Sequence, residues 1–158
     1  GTYPEQLEAL DELPRQLYIT VAAPNEEVYR KTCVPKISDG WERIMKTLEL
    51  LPSLDTRTVI RHTLVKGLNF GWVDEYAKLD NIASPDMIEP KGYVFVGSSR
   101  MRLSMDSMPS FDEIKDFSEQ LGERTGMSIV KQKPDSRVVL LGKEGLETDV
   151  RKYYGLDD

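Results

Sequence analysis

The sequence has little cysteine, little histidine and no surplus of positive charge. The single cysteine, Cys33, excludes an internal disulfide bond and a metal site made only of cysteines. Such sparse cysteine is typical of a reducing compartment, so we expect a cytoplasmic protein. The formal net charge of −6 argues against nucleic-acid binding by the chain as a whole. Any nucleic-acid contact therefore requires a local basic patch.

Long apolar runs are also missing. No stretch is apolar over the length that a bilayer-spanning helix needs, and no charged start is followed by an apolar secretory core. We therefore expect no membrane contact. With 39% hydrophobic and 30% charged residues, the composition is that of an ordinary globular protein, and 158 residues suffice for one domain or for part of a larger one.

Strands and helices alternate along the first hundred residues. Side chains of alternating type predict strands at 16–22, 58–65 and 87–96, and helical spacing predicts the segments between them. This order predicts βα units with parallel strands. A further helix then ends at Gly126, and a hairpin follows around Pro134. The predicted helix-start signals are Asn25 and the capping pairs Thr2 with Glu5, Asp39 with Glu42, and Ser110 with Glu113.

One face of the predicted sheet is polar, although strands covered by helices on both faces should be apolar on both. The polar side chains are Thr20 on the first strand, Arg61 and Thr63 on the second, and Glu89, Lys91 and Tyr93 on the third. Such a face is typical of the lumen of a barrel or half-barrel that binds a ligand. The alternative is that Arg61 and Glu89 form a purely structural ion pair.

A basic rim is predicted at the carboxyl ends of the strands, where barrels of βα units place their sites. Lys66, Arg100 and Arg102 collect there, and the turn Gly97-Ser98-Ser99 could present backbone amides to an anion. Arginine and lysine side chains suit phosphate, so this rim is a candidate nucleic-acid contact. Solvated surface charges are the alternative.

Other side chains are assigned to packing. His62 shares the apolar side of its strand with Leu64, so we expect a packed side chain rather than a catalyst. Trp41 and Trp72 fall at predicted core positions of helices.

Several runs of sequence resemble one enzyme family over nearly the whole chain. The chain is similar to the C-terminal part of the radical S-adenosylmethionine (SAM) enzymes of tRNA wybutosine synthesis, the 4-demethylwyosine synthases. The similar runs are G-T-Y-P-E from Gly1, L-Y-I-T-V-A-A-P-N from Leu17, R-T-V-I-R-H-T-L-V-K-G-L-N from Arg57 and P-D-M-I-E-P-K-G-Y-V-F-V-G-S-S-R-M-R-L from Pro85.

The resemblance implies a fold and a reaction. The fold is α/β, a partial TIM-type barrel of three βα units with parallel strands, followed by a C-terminal helix and β-hairpin. The implied domains are half of the barrel at 1–104 and a wyosine-formation extension at 105–158. The implied enzyme is a lyase that uses a [4Fe–4S] cluster, SAM and an electron donor. It joins carbons of pyruvate to N1-methylguanosine beside the anticodon of tRNA-Phe.

The resemblance also implies roles for individual residues. Thr20 and Arg61 fall where such barrels contact SAM. The catalytic residues stay unknown, and Lys91 and Glu89 are candidates because of their place on the polar face. The candidates for contact with substrate or tRNA are Lys66, Lys91, Ser98, Ser99, Arg100 and Arg102.

The sequence departs from the family in its cluster motif. The C-x3-C-x2-C run is absent and Cys33 cannot replace it, so we expect no metal site here. We expect this chain alone to hold neither cluster nor SAM and to be inactive without the N-terminal half of the barrel. Ala22, Pro90 and His62 also stand where relatives usually carry other residues.

Two further functions stay open. One is a non-catalytic RNA-binding or interaction module derived from that family, which needs Arg100 and Arg102 but not Arg61 or Glu89. The other is an aldolase-like barrel in which Lys91 forms a Schiff base, because a lysine on a lumen face can have a lowered pKa.

Overall fold

The computed structural model describes residues 1–153 and 155. The strands are β1 (Gln16–Thr20), β2 (Arg57–Leu64), β3 (Met87–Gly92), β4 (Ser128–Lys133) and β5 (Val138–Gly142). The helices are α1 (Pro4–Glu8), α2 (Glu26–Cys33), α3 (Gly40–Leu50), α4 (Val73–Ala83), α5 (Phe111–Thr125) and α6 (Val150–Tyr153). Within residues 1–153 and 155, every helix is too short or too polar to cross a lipid bilayer.

The five strands form a single mixed sheet in the order β1-β2-β3-β5-β4. β1, β2 and β3 are parallel, which confirms the predicted βα alternation. β5 pairs antiparallel with β3, and β4 pairs antiparallel with β5, so the predicted hairpin extends the same sheet. β4 consequently runs in the direction of β3. The two edge strands are β1 and β4.

Helices cover one face of the sheet and create the core. Around β1 and β2, apolar side chains of α2, α3 and α4 pack on Ile19 and Ile60. Around β3 and β5, α4 and α5 pack on Ile88 and Leu141. The opposite face carries the polar side chains of β1, β2 and β3 and opens into a cavity. On the covered face, the apolar stripes of α3 and α5 pack against the sheet, as their helical spacing predicts.

The third strand is shorter than predicted, and its extension to Val96 is wrong. Lys91 is the last residue of β3 that pairs with β5, opposite the first residue of β5, Val138. Tyr93 still donates its N–H to the carbonyl of Leu64 at 2.9 Å, and the chain then leaves the sheet. Val94 and Val96 are 38% and 60% exposed. The β-forming side chains after Gly92 do not extend the strand, because the neighbouring strands β2 and β5 have no residues left to pair with them.

The helix starts are partly as predicted. Ser110 and Glu113 form the capping box of α5, and the Asn25 side chain accepts from the N–H of Val28. The Thr2 cap is wrong, since α1 begins after Tyr3 with no side-chain cap. The Asp39 cap is also wrong, because its carboxylate accepts from Arg43 one turn later.

The packing assignments hold for two side chains and fail for one. His62 is fully buried, and Trp41 packs on the core with its ring 5.8 Å from that of Tyr29. Trp72 is 41% exposed, and its assignment to the core is wrong. It stands at the N-cap of α4 rather than within the helix, so its side chain is not carried by the apolar stripe.

Candidate functional site

Strand register brings five of the six predicted polar residues of the sheet into two adjacent rows, and the sixth, Tyr93, lies beyond the end of β3 and is buried. In the first row, Arg61 of β2 lies between Thr20 of β1 and Glu89 of β3. In the second row, Lys91 lies between Thr63 and Val138. Because all of these residues share one side of the pleat, the rows form one polar surface.

Arg61 and Glu89 form the ion pair at the centre of this surface. Arg61 Nε lies 2.6 Å from Glu89 Oε1, and the side chains are 35% and 11% exposed. The carboxylate is therefore held in place by a charge-assisted hydrogen bond. Only Nε of Arg61 bonds among the described residues, so its two Nη groups keep donors for a ligand.

Tyr18 completes the pair, and sequence reasoning did not select it. Its ring lies 4.7 Å from the guanidinium carbon of Arg61, and its hydroxyl donates to Glu89 Oε2 at 3.5 Å. Burial and the negative charge of Glu89 raise the pKa of Tyr18, so the phenol keeps its proton. The sequence did contain a signal that could have selected Tyr18. Tyr18 lies two residues before Thr20, so the two side chains share one side of β1.

A cavity of about 380 Å³ opens over the ion pair. Its lining contains four cations, Arg61, Lys91, Lys131 and Lys133, and one carboxylate, Glu89. The cavity is therefore positive although the chain carries a formal charge of −6. Such a cavity attracts anions. The remaining lining residues are Tyr18, Gln132, Ser136, Val138, Leu140 and Thr148.

Thr20 is next to Arg61 in register but lines a different cavity. That second cavity, of about 240 Å³, lies between β1 and helices α2 and α3 and includes Cys33 and Trp41. Burial raises the pKa of the Cys33 thiol, which disfavours the thiolate that metal binding requires.

The predicted rim at the carboxyl ends of the strands divides into two parts. Lys66 lies 2.9 Å from Glu113 and is not a free cation. The backbone N–H of Ser110 and the Lys66 ammonium lower the pKa of Glu113, so this pair stays charged near neutrality. Lys66 thus joins the end of β2 to the start of α5.

The second part of the rim is the short 3-10 helix Gly97–Met101. Ser99 Oγ lies 2.7 Å from the hydroxyl of Tyr93, which fixes the turn to the end of β3. Arg100 stacks on Phe95, with its guanidinium carbon 5.2 Å from the ring centre. Ser98 and Arg102 are exposed. This segment is a separate cationic surface, outside the cavity over the ion pair.

Two buried side chains support the strand ends from the helix side. Asn69 donates to the carbonyls of Ala22 and Thr63 and accepts from the N–H of Val65. His62 lies between the carbonyl of Val21, at 2.9 Å, and the carboxylate of Asp80, at 3.0 Å. The sequence marked Asn69 only as part of a turn, because its partners lie at the ends of two different strands.

The residues of the site fit SAM, but the chain lacks the ligands for an iron–sulfur cluster. SAM carries a carboxylate and an ammonium group, and the free Arg61 donors and the Glu89 carboxylate match these two charges. An iron–sulfur cluster needs a set of thiolates, and the sequence holds one cysteine. No group of three His, Cys, Asp or Glu side chains in the described part of the chain is arranged to hold a metal ion.

The sequence matches known proteins along most of its length. The family described as wyosine base formation matches residues 82–143. The tRNA 4-demethylwyosine synthase of Pyrococcus abyssi is 46% identical over 151 residues, which is 93% of this chain and 44% of that protein. The synthase of Pyrococcus horikoshii matches with the same identity and coverage. The chain belongs to this synthase family. It corresponds to the C-terminal part of the enzyme and spans less than half the length of these relatives.

Two solved structures share the fold. TYW1 with a lysine-pyruvate adduct bound superposes with a TM-score of 0.82 at 32% identity, over 95% of this chain and 47% of that one. Archaeal TYW1 superposes with a TM-score of 0.74 at 29% identity, over 95% of this chain and 46% of that one. The mixed α/β sheet of this chain is therefore the fold found in about half of each of those proteins.

Proposed function

We propose that the chain supplies the substrate-side part of a radical SAM enzyme that forms 4-demethylwyosine in cytoplasmic tRNA. The observation that carries this proposal is the open polar face around Arg61 and Glu89 in a member of the synthase family. In the proposal this face lines the lumen of a partial TIM barrel, which an N-terminal half of the family type completes. The boundary between domains 1–104 and 105–158 stays a prediction.

The proposed roles follow from the chemistry of each side chain. Arg61 and Thr20 hold SAM at the β1–β2 side of the lumen, and Glu89 fixes the guanidinium of Arg61. When bound with its cluster, SAM supplies the radical that abstracts hydrogen from the methyl group of N1-methylguanosine. Lys91, two residues beyond Glu89, binds the carboxylate of pyruvate. Ser98, Ser99, Arg100 and Arg102 contact the anticodon loop of tRNA-Phe, and Lys66 holds the start of α5 through Glu113.

A chimeric enzyme tests the proposal directly. The C-terminal part of the Pyrococcus abyssi synthase is replaced by this chain, and the product in tRNA is measured by mass spectrometry with pyruvate and a reductant present. We expect 4-demethylwyosine to form, and Arg61→Gln to reduce its rate at least about tenfold, which corresponds to one lost charged contact. Arg30→Gln, an exposed helix residue, is the control. A folded chimera that is inactive, or one indifferent to Arg61→Gln, contradicts the proposal.

A second candidate function is a Schiff base between pyruvate and Lys91. It is favoured by the lysine-pyruvate adduct named for the solved TYW1 structure, and by the position of Lys91 inside the cavity. Borohydride reduction of the chimera with labelled pyruvate separates the two candidates. A reduced adduct at Lys91, lost in Lys91→Arg, supports the Schiff base. A Lys91 that stays unlabelled while its substitution weakens pyruvate use supports the carboxylate contact.

A third candidate, an RNA-binding module without catalysis, makes a different prediction. RNA binding that survives Arg61→Ala and fails on Arg100→Ala, in a chimera that forms no product, would support that module.

A further inference from the structure

An irregularity in the hairpin reverses the side of the sheet on which its lysines lie. Ile129 pairs with Leu141, which is fully buried beneath α5. In a regular strand, Lys131 and Lys133 would share that covered face, since side chains alternate with period two. The register shifts between Ile129 and Lys131, so Lys131 pairs with Leu140 and Lys133 with Val138. A β-bulge at Val130 thus turns both lysines to the cavity.

The bulge aligns the two lysines with the rows of the candidate site. Lys133 and Lys91 both pair with Val138, from opposite sides of β5. Because β4 runs in the direction of β3, Lys133 lies at the same end of the sheet as the carboxyl end of β3. Two residues along a strand span about 6.6–6.8 Å, which is the separation of the backbones of Lys131 and Lys133.

The charges of the hairpin lysines are not compensated locally. Lys131 and Lys133 are exposed, and neither forms an ion pair among residues 1–153 and 155. Lys66 and Lys115, by contrast, each have a glutamate partner. Two uncompensated cations spaced along an open edge strand suit an anion that repeats along a chain. A single small carboxylate would need an enclosed pocket, and these lysines lie at the open side of the cavity.

We propose that Lys131 and Lys133 bind the sugar–phosphate backbone of the RNA substrate and hold it across the hairpin edge of the sheet. The proposal rests on the proposed function for the identity of the RNA. It adds a contact surface on the hairpin, distinct from the rim of Arg100 and Arg102. Each lysine neutralises phosphate charge without reading a base, so the hairpin contributes affinity and register rather than sequence recognition.

Salt-dependent RNA binding tests this proposal. A fluorescent anticodon stem-loop RNA is titrated with the chain between about 50 and 200 mM KCl. The variants are Lys131→Gln, Lys133→Gln and the double variant, and the matched control is Lys36→Gln with Lys78→Gln, two exposed lysines on the helical side. The binding constant K falls with salt, so the slope of log K against log salt is negative. We expect each hairpin substitution to make this slope less steep by about 1, and the control to leave it unchanged.

The outcomes separate this proposal from the proposed function. Equal slopes for the double variant and the unsubstituted chain would overturn the hairpin contact, even in a chimera that forms product. A reduced slope supports the contact, even where the chimera forms no product. Circular dichroism of each variant checks that the hairpin has folded. A slope that falls equally in the control variant would show a nonspecific charge effect and would also overturn the proposal.

Discussion

At the scale of single residues, the candidate site depends on the ion pair between Arg61 and Glu89, which is partly buried. The Glu89 side chain is 11% exposed and its main partner is Arg61. Glu89→Gln keeps the shape but leaves the guanidinium without a counter-charge. We expect the free energy of unfolding to fall by about 1–3 kcal/mol, less than for a fully buried pair because Arg61 is a third exposed. Urea denaturation measures this change.

The control for this substitution is Glu26→Gln. Glu26 pairs with Arg30 on the surface of α2, with both side chains at least half exposed. We expect a loss of less than about 0.5 kcal/mol there. Equal effects of the two substitutions would mean that the Arg61–Glu89 pair is no more than a solvated surface contact.

His62 links stability to pH at the same scale. Burial alone lowers the pKa of His62, but the charge of Asp80 and the hydrogen bonds to Asp80 and Val21 outweigh it, and the net pKa is raised above 6.5. The folded state therefore holds this proton more tightly than the unfolded state. The stabilising contribution is complete below about pH 6.5 and is lost as the pH rises through the raised value.

The measurement is the unfolding free energy across neutral and alkaline pH for the unsubstituted chain and for His62→Gln. We expect the difference between the two curves to shrink as the pH rises. Both proteins keep the same amino terminus, whose pKa burial lowers, so that group cancels in the difference. Since His62 is the only histidine, a constant difference would contradict a charged His62.

At the scale of secondary-structure elements, Asn69 connects the ends of β1 and β2. Its side chain makes three hydrogen bonds, to Ala22, Thr63 and Val65, in a fully buried position. Asn69→Ala leaves those backbone groups without partners, and we expect a loss of about 2–4 kcal/mol. Asn81→Ala on α4 is the control, because its one bond, to the Arg124 carbonyl, is exposed and 3.4 Å long. Amide hydrogen exchange at Val65 should accelerate only in the first variant.

The alternation of strands and helices was predictable from sequence because hydrophobic periodicity is local. The Ser110 capping box is local too, since its partners are three residues apart. The end of β3 was decided by a distant strand, because β3 stops where β5 begins to pair with it. The Asp39 cap failed for a different reason. Two local contacts competed for its carboxylate, and the guanidinium of Arg43, four residues later, replaced the backbone N–H.

The same division holds for the candidate site. Arg61, Glu89 and Lys91 could be selected from sequence because polar residues are out of place on the face of a covered strand. Lys131 and Lys133 could not be selected, because the bulge at Val130 reverses their side of the sheet. Read as a regular strand, the hairpin places both lysines on the side of the half-buried Ile129, which packs against the core.

At the scale of the whole molecule, the sheet has an open polar face and, among the described residues, two edge strands, β1 and β4. β1 is an edge strand, and Tyr18 within it is 41% exposed. An open parallel edge is a template for another strand, and closed barrels remove such edges. An N-terminal half of the family type would pair with β1 and cover the rows of Arg61 and Lys91. The sheet should therefore bind that half more tightly than it binds itself.

Sedimentation velocity with a split enzyme measures this preference. The N-terminal part of the Pyrococcus abyssi synthase is made as a separate polypeptide and mixed with this chain. We expect the chain alone to associate as its concentration rises, and the N-terminal part to replace this self-association with a one-to-one complex. The complete synthase is the control, because it carries both parts in one polypeptide and should therefore not bind this chain. A chain that stays monomeric and ignores the N-terminal part would show that β1 is a protected edge rather than half of a barrel seam.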